Sequence, residues 1–433
     1  MMTKKIEENP EVGDLVKVTS INEVIEGIML ESPETEFLLI KLSTGYNIGV
    51  RKENVQKIEL IKKAVKEENS EMTFEENPEL PAIDIIMTGG TISSRIDYKT
   101  GAVKSLTNPE EFFKYYPEML KFVRIKHLVS PFMKLSENMN PKDWKKIAEE
   151  IKKSLEDKEV KGIILTHGTD TLHYTATALT FYLGKLNKPV VLTYSQRSTD
   201  RGSSDATLNL ICSSIIANSE IAEVVIVGHG NTNDEYCNVI KGIRARKDHS
   251  TMREAFKSHN EKPIARVWAD GKIEYSNNNY NKRSEKNPET DITNNEKVAL
   301  IKYYPGQDPE ILEYYSKNYQ GIIIEGTGMG HVATSESGEN SWNGKIKKAI
   351  SNGTIIFMTT QTLNGRTDPW VYSAGRELMN AGVIFLEDML PEVALVKLGW
   401  VTGHKQWNKN PEKIIGKMLE NLHGEISERT VLK

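Results

Sequence analysis

The chain has 433 residues, longer than one ordinary hydrophobic core, which predicts about two or three domains. Hydrophobic residues make up 38% and charged residues 27%, a balance typical of a soluble globular protein, and no stretch approaches the roughly 20 apolar residues of a membrane span. The formal net charge of -4 provides no general basic surface, so contact with nucleic acid would have to be local or supplied by a partner.

The N-terminal sequence and the cysteine content favour a cytoplasmic protein without membrane contact. Lys4 and Lys5 are not followed by the apolar core that a secretory signal requires. Only Cys212 and Cys237 are present, and they lack the paired spacing of metal ligands. We therefore expect neither a disulfide scaffold nor a zinc cluster, and we interpret both cysteines as packing residues.

The first predicted domain, residues 1–61, is a small antiparallel β-barrel of the SH3-like kind. Short runs that mix apolar and polar residues, at 15–18, 26–30 and 37–42, are separated by turn residues. Such a barrel is typical of a binding module and not of a catalytic one. The stretch that follows, 62–80, is dominated by Lys, Glu, Asn and Ser, so we interpret it as a charged linker.

From residue 81 onward, apparent strands and helices alternate, which predicts a parallel sheet. The predicted strands lie at 83–87, 162–165, 190–194, 224–227, 297–302, 321–325 and 354–358. Predicted helices lie at 144–155, opened by residues 140–143, and at 206–217. A polar segment from about 277 to 296 interrupts the pattern. The sequence therefore predicts a large α/β domain at 81–285, a smaller one at 296–410 and a C-terminal tail at 411–433.

Two hydroxyl-rich turns directly follow two of these strands. The segment 88–92 (TGGTI) follows the strand at 83–87, and the segment 166–171 (THGTDT) follows the strand at 162–165. Short, β-branched apolar runs of this kind indicate buried parallel strands. Because ligands bind at the carboxyl ends of such strands, we expect both turns to face one pocket.

These turns contain the components of an acyl-transfer site. A threonine hydroxyl becomes an effective nucleophile only when a nearby base removes its proton. Lys247 is the candidate base if its ammonium group is desolvated, and Asp170, adjacent to Thr169, could hold that lysine. Gly89 and Gly90 would let backbone N–H groups approach a reacting carbonyl as oxyanion donors.

Each signal alone also has a simpler interpretation. The segment 88–92 could be only a tight turn whose glycines supply positive φ angles. The pair Thr169 and Asp170 could be a helix N-cap. Lys247 follows Arg246 in a polar stretch and could belong to a solvated basic face.

Two other patterns do not predict sites. His167 and His173 are not spaced to share one helix face and have no evident third ligand, so we expect no metal site. The segment 326–330 (GTGMG) follows a strand but lacks the spacing and the acidic partner of a dinucleotide-binding loop. We interpret it as a tight turn.

In this order, the motifs resemble the L-asparaginase/glutaminase family in its threonine-dependent form, over about residues 82 to 410. The likeness includes the two hydroxyl-rich turns and the Arg-Lys-x-His-Ser motif that contains Lys247. It implies that Thr91 is the nucleophile and that Thr169, Asp170 and Lys247 form the companion triad.

The same resemblance implies how an amino acid substrate would bind. The segment 136–139 (SENM) is similar to the family's substrate loop, so Ser136 and Glu137 are binding candidates, and Asp170 would meet the α-amino group. Ser136 could instead cap the following helix. Tyr98 is the nearest match to a tyrosine that the family carries in the loop after the first motif.

Three further segments, at 97–103, 194–198 and 387–394, resemble one branch of the family, the D subunits of archaeal glutamyl-tRNA(Gln) amidotransferases. Chains of that branch also carry an N-terminal β-barrel. The implied fold is α/β, with a small N-terminal SH3-like β-barrel followed by a two-domain asparaginase-like α/β body. The implied activity is release of ammonia from glutamine, or from asparagine, for a partner subunit.

The resemblance also implies partners and cofactors. An E subunit would use ATP and Mg²⁺ to activate Glu-tRNA(Gln) and convert it to Gln-tRNA(Gln), and most RNA contact would fall to that partner. No cofactor and no metal is expected in the present chain. The family implies a homodimer, here within a heterotetramer.

Two alternatives remain open at this point. A free cytoplasmic L-asparaginase would hydrolyse its substrate without a partner, but the N-terminal barrel would then have no explanation. A non-catalytic protein that docks tRNA or another protein would keep its function in Thr91→Ala and Lys247→Ala.

Overall fold

The computed structural model describes residues 10–30, 32, 35–42, 47–63, 77–96, 103–105, 116–198, 203–335 and 340–430. The N-terminal strands are β1 (Leu15–Ser20), β2 (Val24–Leu30), β3 (Phe37–Lys41), β4 (Asn47–Arg51) and β5 (Val55–Lys62). They form one antiparallel sheet in the order β4–β3–β2–β1–β5. Val16, Val18 and Ile40 are fully buried, because alternate residues of each strand face a small separate core. This sheet agrees with the predicted SH3-like barrel.

The body begins with a second set of strands. In chain order they are β6 (Ala82–Met87), β7 (Ser94–Ile96), β8 (Val103–Ser105), β9 (Arg124–Val129), β10 (Val160–Thr166), β11 (Val190–Thr193), β12 (Val224–His229), β13 (Tyr236–Lys241), β14 (Ala245–Lys247), β15 (Phe256–Ser258), β16 (Ala265–Trp268) and β17 (Ile273–Tyr275). An eight-stranded sheet has the order β17–β16–β13–β12–β11–β10–β6–β9. Its five strands from β12 to β9 are parallel, as predicted, and β13, β16 and β17 extend it in antiparallel fashion. Two antiparallel ribbons, β7–β8 and β14–β15, lie outside this sheet.

Helices cover both faces of the large sheet. They are α1 (Pro141–Glu156), α2 (Leu172–Leu183) and α3 (Ala206–Ala217). On β10, Ile163 and Leu165 join the core that contains α1 and α2, whereas Ile164 joins the core that contains α3. Because residues on both faces of the strand are buried, its residues 162–165 are all apolar, which is why the strand could be recognised from the sequence.

Helix α1 begins within the segment 140–143 that the sequence predicts as its opening. Its N-cap is Asn140, whose side chain accepts a hydrogen bond from the backbone nitrogen of Lys142 at 3.0 Å. The carboxylate of Asp143 accepts in return from the backbone nitrogen of Asn140 at 3.1 Å, which completes a capping box. Pro141 occupies the first helical position, where its missing N–H costs nothing.

The smaller domain is a four-stranded parallel sheet with its own helices. Its elements are β18 (Val298–Lys302), α4 (Ile311–Asn318), β19 (Gly321–Gly326), α5 (Asn343–Ser351), β20 (Ile355–Thr360), α6 (Ser373–Asn380), β21 (Ile384–Phe385) and α7 (Pro391–Gly403), followed by α8 (Pro411–Leu419). The strands pair in the order β18–β19–β20–β21. The GTGMG segment is a turn closed by a bridge between Thr327 and His331.

The C-terminal segment is packed into the body. Ile414 and Met418 of α8 are fully buried in the core that also contains α2 and α7. Lys397 of α7 donates to the carboxylate of Glu425 at 2.6 Å, and both side chains are fully buried. The domain limits drawn from the sequence stay predictions, but residues 411–430 belong structurally to the folded body.

Arg244 joins the large domain to the smaller one and to this C-terminal segment. It is 2% exposed, and its guanidinium donates to the Asp388 carboxylate at 3.0 Å, to the Gly424 carbonyl at 2.8 Å and to the Ser427 hydroxyl at 2.9 Å. The backbone nitrogen of Ser427 also donates to Asp388 at 2.8 Å. One buried cation therefore connects three separate parts of the chain.

Replacing Arg244 with methionine is expected to destabilise the body by about 3–5 kcal/mol, because Asp388 would stay buried without its cation. Urea unfolding followed by tryptophan fluorescence measures the loss. The matched control is Arg266→Met, since Arg266 lies exposed on β16 and should change the unfolding free energy by only a few tenths of a kcal/mol. Equal effects of the two variants would contradict this role of Arg244.

Candidate active site

The two hydroxyl-rich turns lie side by side, as predicted, because β6 and β10 are adjacent parallel strands. Met87 at the end of β6 pairs with Thr166 at the end of β10. The next residue, Thr88, donates to the Thr166 carbonyl from its backbone nitrogen at 3.2 Å and from its hydroxyl at 2.8 Å. These bonds join the two turns where they leave the sheet.

Both glycines of the first turn are required by its geometry. Gly89 has φ +112° and Gly90 has φ +84°, angles that L side chains rarely adopt. A Cβ on Gly90 would lie 2.5 Å from the backbone nitrogen of Gly168, and one on Gly89 would lie 2.4 Å from the Lys134 carbonyl. The segment is therefore a tight turn that requires both glycines, and the same close approach brings the backbone before Thr91 against the second turn.

Thr91 opens a short 3-10 turn, Thr91–Ser93, and is half-buried. The turn is fixed to the end of β10, because the buried Ser93 hydroxyl forms a 3.1 Å hydrogen bond with the Thr166 hydroxyl. The Tyr116 hydroxyl donates to the Ile92 carbonyl at 3.0 Å. Neither anchor depends on the Thr91 side chain, which is partly accessible to solvent.

Lys247 lies at the end of the β14–β15 ribbon and reaches the second turn. Its ammonium donates to the Thr169 hydroxyl at 2.8 Å and to an Asp170 carboxylate oxygen at 2.7 Å. Lys247 is only 10% exposed, whereas Asp170 is 62% exposed. The solvated-face interpretation of Lys247 is therefore wrong, because most of this side chain is removed from water.

The N-cap interpretation of Thr169 and Asp170 is also wrong. Helix α2 begins at Leu172, and its N-cap position is Thr171. The side chain of Thr171 makes no capping bond and donates instead to the Ser136 carbonyl at 2.7 Å. The side chains of Thr169 and Asp170 are thus directed to Lys247 and not to the helix.

The structure places Ser136 against the site and leaves Glu137 exposed. Ser136 is 3% exposed, and its hydroxyl accepts from the Asp170 backbone nitrogen at 3.2 Å. It does not cap α1, since Asn140 does. Ser136 therefore fixes the turn that carries Asp170, while the exposed Glu137 is open to solvent. Tyr98 lies outside the described residues.

His167 is a buried residue of the second turn whose role the sequence did not indicate. One ring nitrogen lies 2.8 Å from the Thr175 hydroxyl on α2, and the other lies 2.7 Å from the Gly168 carbonyl. Burial lowers the pKa of His167 to about 4, so its ring is neutral near pH 7. In the part of the chain that the structure describes, no group of three or more His, Cys, Asp or Glu residues could hold a metal ion.

Burial of His167 predicts a loss of stability in mild acid. The unfolded chain binds this proton near pH 6.5 and the folded chain only near pH 4, so stability should fall as the pH drops from about 6.5 to about 4. His167→Gln keeps a hydrogen-bonding group but does not titrate. We expect urea midpoints at pH 7.5 and pH 5 to differ less in this variant than in wild type, and an unchanged difference would contradict the assignment.

Three family models match the chain. They are the asparaginase N-terminal model over residues 82–281, the glutaminase/asparaginase C-terminal domain over 297–415 and the GatD N-terminal domain over 10–61. The first two cover the body, and the third covers the N-terminal sheet.

Similar proteins and solved structures agree with these matches. The D subunit of the glutamyl-tRNA(Gln) amidotransferase from Pyrococcus abyssi is 46% identical, over 98% of this chain and 97% of that relative. The one from Methanopyrus kandleri is 42% identical, over 97% and 93% of the two chains. The structure of an L-asparaginase from Thermococcus kodakarensis is similar with a TM-score of 0.71 at 28% identity, covering 80% of this chain and all of that one (100%). L-asparaginase I from Vibrio cholerae gives a TM-score of 0.66 at 29% identity, over 80% and 99%.

Proposed function

The chain belongs to the family of glutamyl-tRNA(Gln) amidotransferase D subunits, and we propose that Thr91 is the nucleophile with which it releases ammonia from glutamine. Its body is an asparaginase-type amidohydrolase, so this chain supplies the amide-cleaving half of the reaction. The observation that carries the proposal is the cluster of Lys247, Thr169 and Asp170 next to the turn that bears Thr91.

The first step is attack of the Thr91 hydroxyl oxygen on the side-chain amide carbon of glutamine. The neutral amine form of Lys247, through Thr169, takes the hydroxyl proton as the new C–O bond forms, and becomes an ammonium group. Backbone N–H groups of the glycine turn stabilise the negative oxygen of the tetrahedral intermediate. When the C–N bond breaks, the nitrogen receives this proton from the Lys247 ammonium through Thr169 and leaves as ammonia, and a γ-glutamyl ester remains on Thr91.

The second step returns the enzyme to its starting state. Water attacks the ester carbonyl and transfers a proton to the same base, the C–O bond to Thr91 breaks as the Thr91 oxygen takes that proton from the base, and glutamate leaves. Asp170 keeps the Lys247 side chain next to Thr169, because the 2.7 Å contact between the carboxylate and the lysine nitrogen is a charge-assisted hydrogen bond. No step requires a cofactor or a metal ion in this chain.

Substrate binding uses the exposed carboxylates at the rim of the site. Asp170 is 62% exposed and Glu137 is exposed, so both are accessible to the α-ammonium group of an amino acid. The Ser136 hydroxyl accepts a hydrogen bond from the Asp170 backbone nitrogen and so holds Asp170 in place. Tyr98 is a further binding candidate through the resemblance to the family alone. Glutamine and asparagine differ by one methylene, which a pocket distinguishes by ~10- to 200-fold at most.

The ammonia is used by a partner. The relatives are named as subunits of an amidotransferase, which requires at least one further subunit. We propose that this partner is an E subunit that binds Glu-tRNA(Gln), ATP and Mg²⁺, and that two copies of each chain form a heterotetramer. Among the described residues, no helix is long and apolar enough to cross a membrane. A cytoplasmic location suits a reaction on tRNA.

A free L-asparaginase is the second candidate, and the structural similarity to L-asparaginases favours it. That similarity covers 80% of the chain and leaves the rest without a counterpart. The match of residues 10–61 to the GatD N-terminal domain favours the amidotransferase instead. A purely non-catalytic role does not explain why the mostly buried Lys247 is directed to Thr169 and Asp170.

The test is ammonia release from glutamine and from asparagine by the purified chain, alone and with the co-purified partner and Glu-tRNA(Gln). We expect release from glutamine to rise sharply only with the partner and charged tRNA, and to disappear in Thr91→Ala. Full activity on asparagine without any response to the partner would support the free asparaginase.

A further inference from the structure

Glu392 is a buried carboxylate of the smaller domain that reaches the strand bearing Lys247. It lies in the first turn of α7 and is 4% exposed. Its Oε1 atom forms an ion pair with Arg246 Nε at a distance of 3.1 Å. Arg246 directly precedes Lys247 on β14, so this ion pair connects α7 to the ribbon that carries the lysine.

Glu392 also approaches the helix that follows Asp170. Its Oε1 atom lies 3.7 Å from Nε2 of His173, near the start of α2. Burial lowers the pKa of His173 to about 3, so this ring is neutral near pH 7 and does not balance the carboxylate. Burial raises the pKa of Glu392, and Arg246 opposes that shift. Arg246 is therefore a cation that favours the charged form of Glu392.

The strand geometry turns this contact into a constraint on Lys247. Successive side chains of a β-strand point to opposite faces, so Arg246 and Lys247 project to opposite sides of β14. β14 has only three residues and, among the described residues, pairs with β15 alone. Fixing Arg246 against α7 on one side therefore fixes the direction in which Lys247 leaves on the other side, toward Thr169 and Asp170.

We propose that Glu392 is a positioning residue which, through Arg246, holds Lys247 at hydrogen-bonding distance from Thr169 and Asp170. The smaller domain then contributes to amide cleavage by the large domain of the same chain, without contacting the substrate itself. This inference rests on the proposed function of Lys247 as the base. Because a displacement of about 1 Å at a catalytic group costs roughly 10²-fold in rate, loss of the anchor should lower kcat strongly.

The experiment compares Glu392→Ala, Glu392→Gln and Arg246→Gln in the complex with the co-purified partner and Glu-tRNA(Gln), by steady-state ammonia release from glutamine. We expect kcat to fall by ~10- to 100-fold in Glu392→Ala with KM changed only a few-fold, since the carboxylates that bind the substrate are untouched. Glu392→Gln keeps an acceptor for Arg246 and should recover part of the loss. The double variant of Glu392→Ala and Arg246→Gln should be no slower than the slower single one, because both remove the same anchor.

The matched control is Glu425→Gln. Glu425 forms a fully buried 2.6 Å ion pair with Lys397 of the same helix α7, and it is not linked to β14 by any hydrogen bond within the described residues. It should lower the unfolding midpoint and leave the kcat of the folded fraction unchanged. If Glu392→Ala does not fold, the kcat values of Glu392→Gln and Arg246→Gln test the positioning role instead. Arg246 is 25% exposed, so its replacement should cost less folding stability than that of Glu392.

The outcomes separate the positioning role from the proposed function. A drop in kcat in the Glu392 and Arg246 variants, but not in Glu425→Gln, would support the proposal. A wild-type kcat in the Glu392 variants, or a drop in kcat no larger than in Glu425→Gln, would overturn the positioning role. If Lys247→Met is inactive in the same experiment, the proposed function of Lys247 stands. If instead ammonia release persists in Thr91→Ala and Lys247→Met, the proposed function itself fails, and the positioning role fails with it.

Discussion

Replacing Thr91 with alanine is expected to lower glutamine-dependent ammonia release by about 10⁴-fold or more, as loss of the nucleophile does in other enzymes with a coupled catalytic set. The hydroxyl oxygen that forms the acyl bond is then gone. The chain should stay folded, because the 3-10 turn is held by Ser93 and by the Tyr116 contact to Ile92 and not by the Thr91 side chain. Steady-state ammonia release, with circular dichroism to confirm folding, is the measurement.

The control for this prediction is Thr91→Ser, which retains the hydroxyl and removes one methyl group. It should keep a large part of the activity, whereas Thr91→Ala should keep almost none. If both variants lost activity equally, the methyl group or the local fold would be the cause. Activity of Thr91→Ala close to that of wild type would show that another residue attacks the amide.

The second large effect is expected for Lys247→Met. Methionine keeps the unbranched apolar stem but has no ammonium group, so the contacts of 2.8 Å to Thr169 and 2.7 Å to Asp170 are lost. Removal of a general base costs ~10²- to 10⁴-fold in rate. We expect kcat to fall by that amount, while the complex with the partner still forms. Steady-state kinetics and size-exclusion chromatography measure the two properties separately.

Lys257→Met is the matched control, because Lys257 lies on β15, the strand paired with β14, opposite Arg246. It is the same residue type on the same ribbon, but it lies across from Arg246 and does not bond to Thr169 or Asp170 in the described residues. Activity in Lys257→Met should stay within a few-fold of wild type. A similar loss in both variants would mean that the ribbon, and not the Lys247 ammonium, is what matters.

The parts of the fold that could be predicted were those encoded in local pattern. β6 and β10 are mostly apolar because both faces of the large sheet are covered, and such runs are visible in a sequence. The turns that follow them were therefore placed correctly at one edge of the sheet. The start of α1 at residues 140–143 is also predicted by local sequence, because its capping box involves only Asn140 and Asp143.

The parts that could not be predicted depend on burial and on contacts between distant segments. Lys247 has the same sequence neighbours whether it is solvated or packed, and only the folded ribbon shows that it is 10% exposed. The segment 387–394 that contains Glu392 resembles the amidotransferase D subunits, but this resemblance assigns Glu392 no role. Its contact to Arg246 could not be predicted, because it joins two domains. Likewise, no local pattern shows that Ile414 and Met418 are buried.

The central claim, that Thr91 and not Thr169 carries the acyl group, is tested most directly by trapping the intermediate. The complex would be mixed with glutamine and Glu-tRNA(Gln), quenched in acid during turnover, and digested for peptide mass spectrometry. We expect a γ-glutamyl group on the peptide that contains Thr91, and none in Thr91→Ala. A γ-glutamyl group on Thr169, or continued ammonia release in Thr91→Ala, would contradict the claim.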